Sequence, residues 1–285
     1  MELNRDFISK GFERRSHIIT QDEIAKYAAV IGGAGNTAYA SGVAPPSFPV
    51  IYELPFLETI WSDPELNGGK EQAKKNVLML VHGDQKMTFV KPLMAGMEVA
   101  FSAEVSDIQD KGSGEVLALR TQSMVDGEIV CESNWGLFVR GIGSGKKPER
   151  SAKKPSAPKP AGSAAPQTVF TSGIDVPADI TPRYADASND HNPIHLNEDV
   201  AKEAGLKGVV VHGLCTMSMA MQKIIDGYLG GAPENLKSLA VRFSAPVYPG
   251  DTLNLECFEA GQNAIKFEAS VGGMKVIKGG FAEIM

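Results

Sequence analysis

Two stretches of the chain, Phe89–Val105 (FVKPLMAGMEVAFSAEV) and Phe243–Glu259 (FSAPVYPGDTLNLECFE), align with Pro92 on Pro246 and Gly96 on Gly250 at one offset of 154 residues. An internal repeat of this kind means that one supersecondary plan is used twice, so the fold has to be assembled from two similar units. Each copy reads as a strand, a turn bearing Pro and Gly, and then an alternating strand. The alternating apolar positions are Val99, Phe101, Ala103 and Val105 in one copy and Leu253, Leu255 and Cys257 in the other. Strand-like stretches follow in both halves, at Gly114–Val125 and Glu128–Val139, then at Ala264–Val271 and Lys275–Ile284.

A helix is predicted ahead of the strands in each half. In the second half it runs from about Gly213 to Leu229, with Leu214, Met217, Met221, Ile224, Ile225 and Tyr228 at three-to-four spacing. In the first it runs from about Ser47 to Ile60, with Phe48, Ile51, Leu54, Phe56 and Leu57. The Met-rich stripe reads as core. One apolar helix followed by four or five antiparallel strands, used twice, points to an α+β class in which a sheet wraps a helix. Between the halves, GSGKKPERSAKKPSAPKPAGSAAP carries no apolar side chain larger than Ala and five Pro. Such a segment cannot bury enough surface to offset its ordering entropy and reads as an exposed tether. The expected organisation is a repeat over 1–142, a linker over 143–167 and a second repeat over 168–285.

Composition narrows the function classes. A formal charge of −6 disfavours non-specific nucleic-acid binding, and the one cationic cluster lies in the tether. No uncharged apolar run is long enough to cross a bilayer, and Met1–Lys10 has no apolar core of a signal peptide, so a cytoplasmic location with no membrane partner is expected. The chain ends Phe281-Ala-Glu-Ile-Met285, without a Ser-Lys-Leu address. Cys131, Cys215 and Cys257 are too scattered for a disulfide framework or zinc site and read as small buried hydrophobes.

The chemistry-bearing segment is Asp190-His-Asn-Pro-Ile-His195, upstream of the second helix. Asn before Pro favours a turn, which can swing His195 back towards Asp190 so that both face one cavity. A carboxylate and an imidazole within reach of one water make a general base and a positioned partner, and Asn192 can orient either group. A polar turn stabilised by Asp and Asn is the competing reading. The run Gly208-Val-Val-Val-His-Gly213 ends in Gly directly before the helix. Open N–H groups at a helix start suit a carbonyl oxygen that becomes negative. For a metal, His195, His191 and Asp190 offer no well-spaced third soft ligand, so none is expected.

The segment Tyr184–His195 followed by VVHGL at Val210–Leu214 resembles the signature of the MaoC-like hydratases, the (R)-specific enoyl-CoA hydratases (hydratase 2) of the hot-dog superfamily. The family pattern Y-x-x-x-S-G-D-x-N-P-[IL]-H-x-D is matched at Tyr184, Ser188, Asp190, Asn192, Pro193, Ile194 and His195. Asn189 replaces the family's usual Gly and Asn197 its frequent Asp; Asn tolerates the left-handed backbone nearly as well as Gly. Val43-Ala-Pro-Pro-Ser-Phe48 and Val81-His-Gly-Asp-Gln-Lys86 resemble stretches in the degenerate repeat of double hot-dog hydratases and dehydratases.

The resemblance implies a double hot-dog fold and a hydro-lyase acting on acyl thioesters without a cofactor. Asp190 and His195 would be the catalytic pair, Asn192 an auxiliary polar group and the Gly213 N–H the oxyanion donor, with Ser188, Pro193 and His212 as substrate-binding residues. Reversible hydration of trans-2-enoyl-CoA to (R)-3-hydroxyacyl-CoA is the leading expectation. The alternatives are dehydration of (R)-3-hydroxyacyl groups on acyl carrier protein, a thioesterase, or a silent acyl-thioester-binding protein. A monomeric pseudo-dimer and a homodimer are both open. Aligning Tyr27 with Tyr184 sets Gly33 opposite Asp190 and Ala38 opposite His195, so the first half lacks both ionisable groups. Its shorter, bare overhang is expected to open space for an acyl chain. His82 and Gln85 are expected to be structural.

Overall fold

The computed structural model describes residues 2–146 and 167–285; all but the two ends of the expected linker lies outside the described residues. The first half contains β1 (Arg15–Ile18), α1 (Gln21–Val30), α2 (Thr37–Ala40), α3 (Val50–Trp61), α4 (Pro64–Asn67), α5 (Lys70–Met79), β2 (Leu80–Phe89), β3 (Glu98–Asp110), β4 (Gly114–Val125) and β5 (Glu128–Arg140). The second contains β6 (Thr168–Asp175), α6 (Ile180–Ser188), α7 (Glu198–Glu203), α8 (Gly213–Gly227), β7 (Leu236–Phe243), β8 (Thr252–Glu259), β9 (Ala264–Val271) and β10 (Met274–Ile284).

All ten strands form one antiparallel sheet in the order β1-β3-β4-β5-β2-β7-β10-β9-β8-β6. Read outward from its centre, the order is the same in both directions, so the repeats are related by a pseudo-twofold axis. That axis passes through the pairing of β2 with β7, where Lys86 lies opposite Ala240. These two residues are 154 positions apart, the offset of the sequence repeat. The turns obey the same symmetry, since Gly96 and Gly250 both take the left-handed backbone, at φ 86° and 88°. This is the sheet-wrapped-helix plan used twice that the repeat predicted, and the double hot-dog that the family resemblance implied.

The alternating positions turn inward as read. Val99, Phe101, Ala103 and Val105 are buried on β3, and Leu253, Leu255 and Cys257 on β8. A register shift between Val105 and Asp107 then changes the phase, so that Ile108 is also buried. The two long helices, α3 and α8, are buried on nearly every side, as a rod enclosed by a sheet must be. The α8 stripe holds at Leu214, Met217, Met221, Ile224 and Ile225, but Tyr228 falls beyond the last turn and is exposed. The three cysteines are buried and unpaired.

Where the repeats meet, Tyr27 and Tyr184, matched in the alignment, face each other across the axis with their hydroxyls 3.4 Å apart. The Tyr27 hydroxyl also lies 3.1 Å from both Ser47 Oγ and Ser218 Oγ, which satisfies it inside the core. The halves differ after the first long helix. Between α3 and β2 the chain makes the excursion α4–α5, which periodicity did not reveal; α8 is followed only by a short 3-10 turn, Pro233–Asn235, before β7.

Glu53 on α3 is fully buried, and its Oε1 accepts a 3.0 Å bond from Ser133 Oγ. Burial pushes its carboxyl up to about 7 from an ordinary value of 4.5, although the hydroxyls of Thr121 and Ser133 and the Trp135 N–H favour the anion. The folded state therefore holds the proton more tightly than the unfolded chain. This contribution to stability is complete below pH 4.5 and is lost as pH rises through about 7, a difference of about 3 kcal/mol. We expect the stability of Glu53→Gln, relative to the parent, to rise across that window in urea unfolding. A difference that stays constant with pH would contradict the assignment.

Candidate active site

The segment between α6 and α8 carries the polar groups singled out in the sequence. Helix α6 ends at Ser188, and Asn189 follows in the left-handed conformation at φ 60°. Its Nδ2 donates to the Ile51 carbonyl at 3.0 Å, so Asn there does more than stand in for Gly: it ties the loop to the other repeat. Asn192 precedes Pro193, and its Oδ1 accepts from the Ile194 N–H, capping the 3-10 turn Pro193–His195. That turn carries His195 back over the start of the segment.

Asp190 and His195 open on the same cavity. Asp190 Oδ1 accepts from the Asn192 N–H at 3.2 Å. The Nδ1–H of His195 donates to the Val210 carbonyl at 2.7 Å, which leaves Nε2 with a free lone pair. Burial pushes the Asp190 carboxyl up and the His195 imidazole down; in each case the charge of the other group opposes the shift. Gly213 begins α8 behind His212, whose side chain does not cap the helix, so first-turn amides remain open towards the cavity, which Gly213, Leu214 and Thr216 line.

His212 sits behind the pair rather than in the cavity wall. It is 1% exposed, its ring stacks on His195 with centroids 3.8 Å apart, and Tyr184 lies against it at 4.9 Å. Its Nε2–H donates to the Asp190 carbonyl at 3.1 Å, so it holds both members of the pair. Burial drives its imidazole well below the usual range, and the neighbouring His195 adds to this. Ser188 likewise does not line the cavity. It is fully buried, donates to the Tyr184 carbonyl at 2.7 Å and accepts from the Asp190 N–H at 3.3 Å. Of the three residues expected to bind substrate, Pro193 alone lines the cavity. Ser188 and His212 lie deeper, and each hydrogen-bonds the backbone of Asp190.

Contrary to the sequence expectation, a third potential ligand does reach the pair: one donor atom each from Asp190, His195 and His212 lies within 4.8 Å of the others. The two imidazoles, however, are stacked at 27°, and one nitrogen of each already donates to a carbonyl. In-plane lone pairs of near-parallel rings run side by side instead of meeting at one point, a poor arrangement for a chelated ion.

The cavity measures about 970 Å³ and is walled by both repeats. The first repeat contributes Leu54, Trp61, Ala73, Val77 and Leu137, from α3, α5 and β5, together with His82. Space was expected instead at the shortened overhang, and the structure corrects this. A Cβ on Gly33 would come within 2.8 Å of the Tyr39 ring, and the Tyr39 hydroxyl donates to Gln222 Oε1 at 2.7 Å, so two side chains plug the position opposite Asp190. The pseudo-symmetric groove at Ala44, Pro45, Phe89, Pro92 and Leu93 holds only about 100 Å³. Sequence reading missed the α5 wall, the Val210 carbonyl that orients His195, and the aromatic groups Trp135 and Phe243, because each reaches the site only through long-range pairing.

Both halves of the chain match known protein families. Residues 151–278 match the MaoC like domain and residues 19–141 the MFE-2 hydratase 2 N-terminal domain. The chain is 33% identical to 3-hydroxyacyl-thioester dehydratase Y of Mycobacterium tuberculosis over 70% of its own length and 68% of that protein. It is 26% identical to the peroxisomal enoyl-CoA hydratase 2 of Arabidopsis thaliana, covering 99% of this chain and 96% of that one. Mouse peroxisomal multifunctional enzyme type 2 is 31% identical over 72% of the chain, which spans only 28% of that longer protein. The chain likewise spans 47% of the Drosophila melanogaster enzyme of the same name. The crystal structure of a MaoC-like dehydratase from Phytophthora capsici superposes with a TM-score of 0.79 at 26% identity, covering 98% of both chains. With a hydratase 2 N-terminal repeat fused to a MaoC-like repeat that carries the Asp190–His195 pair, the chain belongs to the MaoC-like hydratase and dehydratase family.

Proposed function

We propose that the protein catalyses the reversible syn hydration of trans-2-enoyl-CoA to (R)-3-hydroxyacyl-CoA. The observation that carries this reading is the convergence of Asp190, the free Nε2 of His195 and the open start of α8 at Gly213 on one largely apolar cavity. The thioester oxygen accepts from the Gly213 N–H, where negative charge develops as water adds to C3. One such donor is worth about 3–4 kcal/mol in the transition state. Asp190 and His195 hold the water between them, and the pair takes its proton as the C3–O bond forms. The same proton then passes to C2 as the enolate collapses, so the pair ends the cycle as it began. Titration belongs to the two groups together, since each shifts the other. The apolar wall of the first repeat takes the acyl chain.

The second reading is dehydration on a carrier-protein thioester, which uses the same groups; the name of the mycobacterial relative, a 3-hydroxyacyl-thioester dehydratase, speaks for the dehydration direction and not for the carrier. A cytoplasmic location and one or two copies per assembly complete this proposal. Among the described residues no helix is long and apolar enough to cross a membrane.

Asp190→Asn and His195→Ala are each expected to remain folded, with an unchanged circular dichroism spectrum, and to lose at least about 100-fold in kcat on crotonyl-CoA. Near-normal turnover by either variant removes the assignment. A series of 2-enoyl-CoA esters from C4 to C16, read at the conjugated-thioester absorbance beside matched carrier-protein thioesters, is expected to yield (R)-3-hydroxy products. Release of free thiol from saturated acyl-CoA would instead identify a thioesterase.

A further inference from the structure

His82 belongs to the repeat that lacks the catalytic pair, and yet its ring borders the catalytic cavity. Several features are built around it. The register of β2 against β5 shifts between His82 and Asp84, and such a bulge re-aims a side chain. The bulge is accommodated where Gly136 leaves room for the Asp84 carboxylate, which a Cβ there would clash with. Pairing of β2 with β7 begins only at Asp84, so His82 stands just outside the junction of the repeats, facing the space between them. Its ring stacks on Trp135, with centroids 5.2 Å apart at 11°, and meets Phe243 edge-on at 5.0 Å. Phe243 in turn packs 3.4 Å from the Cβ position of Gly213, so one ring separates His82 from the proposed oxyanion donor.

The hydrogen bonds settle which nitrogen is free. Nε2 lies 3.1 Å from the Asp84 carbonyl and 3.0 Å from Gln85 Oε1. A carbonyl can only accept, so Nε2 carries the proton and Nδ1 is a bare acceptor. Burial pulls the imidazole down to about 4, which keeps it neutral near pH 7. His82 is half-buried, and it lines the cavity. At the pseudo-symmetric position 154 residues on, beside the filled groove, stands the buried, apolar Leu236. A polar acceptor is thus retained only beside the open cavity.

We infer that His82 is a substrate-binding residue, whose Nδ1 accepts a hydrogen bond from the first amide N–H of the pantetheine arm of the thioester. This rests on the hydratase reading for the place of the thioester carbonyl. A neutral acceptor in an apolar wall matches a neutral N–H donor and offers nothing to an alkyl chain. The first repeat then supplies a polar contact as well as an apolar wall.

Two short probes with the same reacting group test this. Crotonyl-N-acetylcysteamine carries the amide, and S-butyl crotonothioate lacks it. For His82→Phe, which keeps a flat ring against Trp135, the loss in kcat/KM on the amide probe should exceed the loss on the alkyl probe by about five- to tenfold, carried by KM. His82→Leu, the residue of the pseudo-symmetric position, should behave alike. Equal losses on both probes would overturn the inference. Crotonyl-CoA and crotonyl-acyl carrier protein contain the same amide; the carrier on which the variant loses activity supplies the arm, and loss on neither also overturns it. Binding of the unreactive thioether S-butyl-N-acetylcysteamine, followed by tryptophan fluorescence, should weaken about five- to tenfold in His82→Phe. That measurement judges His82 even if the unaltered protein hydrates no enoyl thioester, a result that would defeat the hydratase reading alone.

Discussion

The pairing of β2 with β7 is the interaction on which the other parts of the molecule depend. Each five-stranded half would otherwise end in an unpaired strand, and an open edge leaves backbone N–H and C=O groups without partners. Joining the two edges satisfies those groups and makes one ten-stranded sheet around two buried helices. The same junction sets the geometry of the site. It places α3, α5 and β5 of the first repeat across from the loop that holds Asp190 and His195, so the cavity has walls from both halves. Neither repeat alone encloses it.

Around this symmetric frame the two repeats have diverged in opposite ways. In the second, a half-buried carboxyl and two buried imidazoles are kept together at considerable desolvation cost, which local hydrogen bonds offset. Ser188 and His212 fix the backbone of Asp190 from either side, and the Val210 carbonyl fixes the tautomer of His195. In the first, the corresponding place is filled by Tyr39 against Gln222 of α8, and the matching groove has closed to about 100 Å³. The room lost there reappears on the other side of the sheet junction. The α4–α5 excursion supplies Ala73 and Val77 to the wall of the cavity over the active pair. One repeat therefore carries the reacting groups, while the other shapes the space they act in.

Much of this was legible before any coordinates. The repeat offset showed that one helix-and-sheet plan is used twice, because an equal spacing between two Pro–Gly turns is a local signal. The alternation on β3 and β8 and the stripe on α8 show which faces are buried, since the side-chain period follows directly from backbone geometry. Asn189 illustrates a partial success. Its tolerance of a positive φ could be read from residue type, whereas its bond to Ile51 joins positions 138 apart and leaves no trace in the local pattern. Ser188 and His212 show the converse. Their place in the motif marked them as important, but whether a polar side chain faces substrate or braces its neighbour depends on the direction in which the loop folds.

Composition, period and motif by themselves determined that two helix-and-sheet units would form, that the second would carry an acid, an imidazole and a helix start close together, and that the first would lack them. Those are properties of near neighbours along the chain, and short-range stereochemistry governs them. Only the tertiary structure decided where the open space lies, that Tyr39 and Gln222 fill the expected gap, and that His82 reaches a cavity whose reacting groups are more than a hundred residues away. Cavities arise from what packing leaves unfilled. That remainder is set by the pairing of distant strands and the volumes of side chains that meet across them, quantities that no window along the sequence contains.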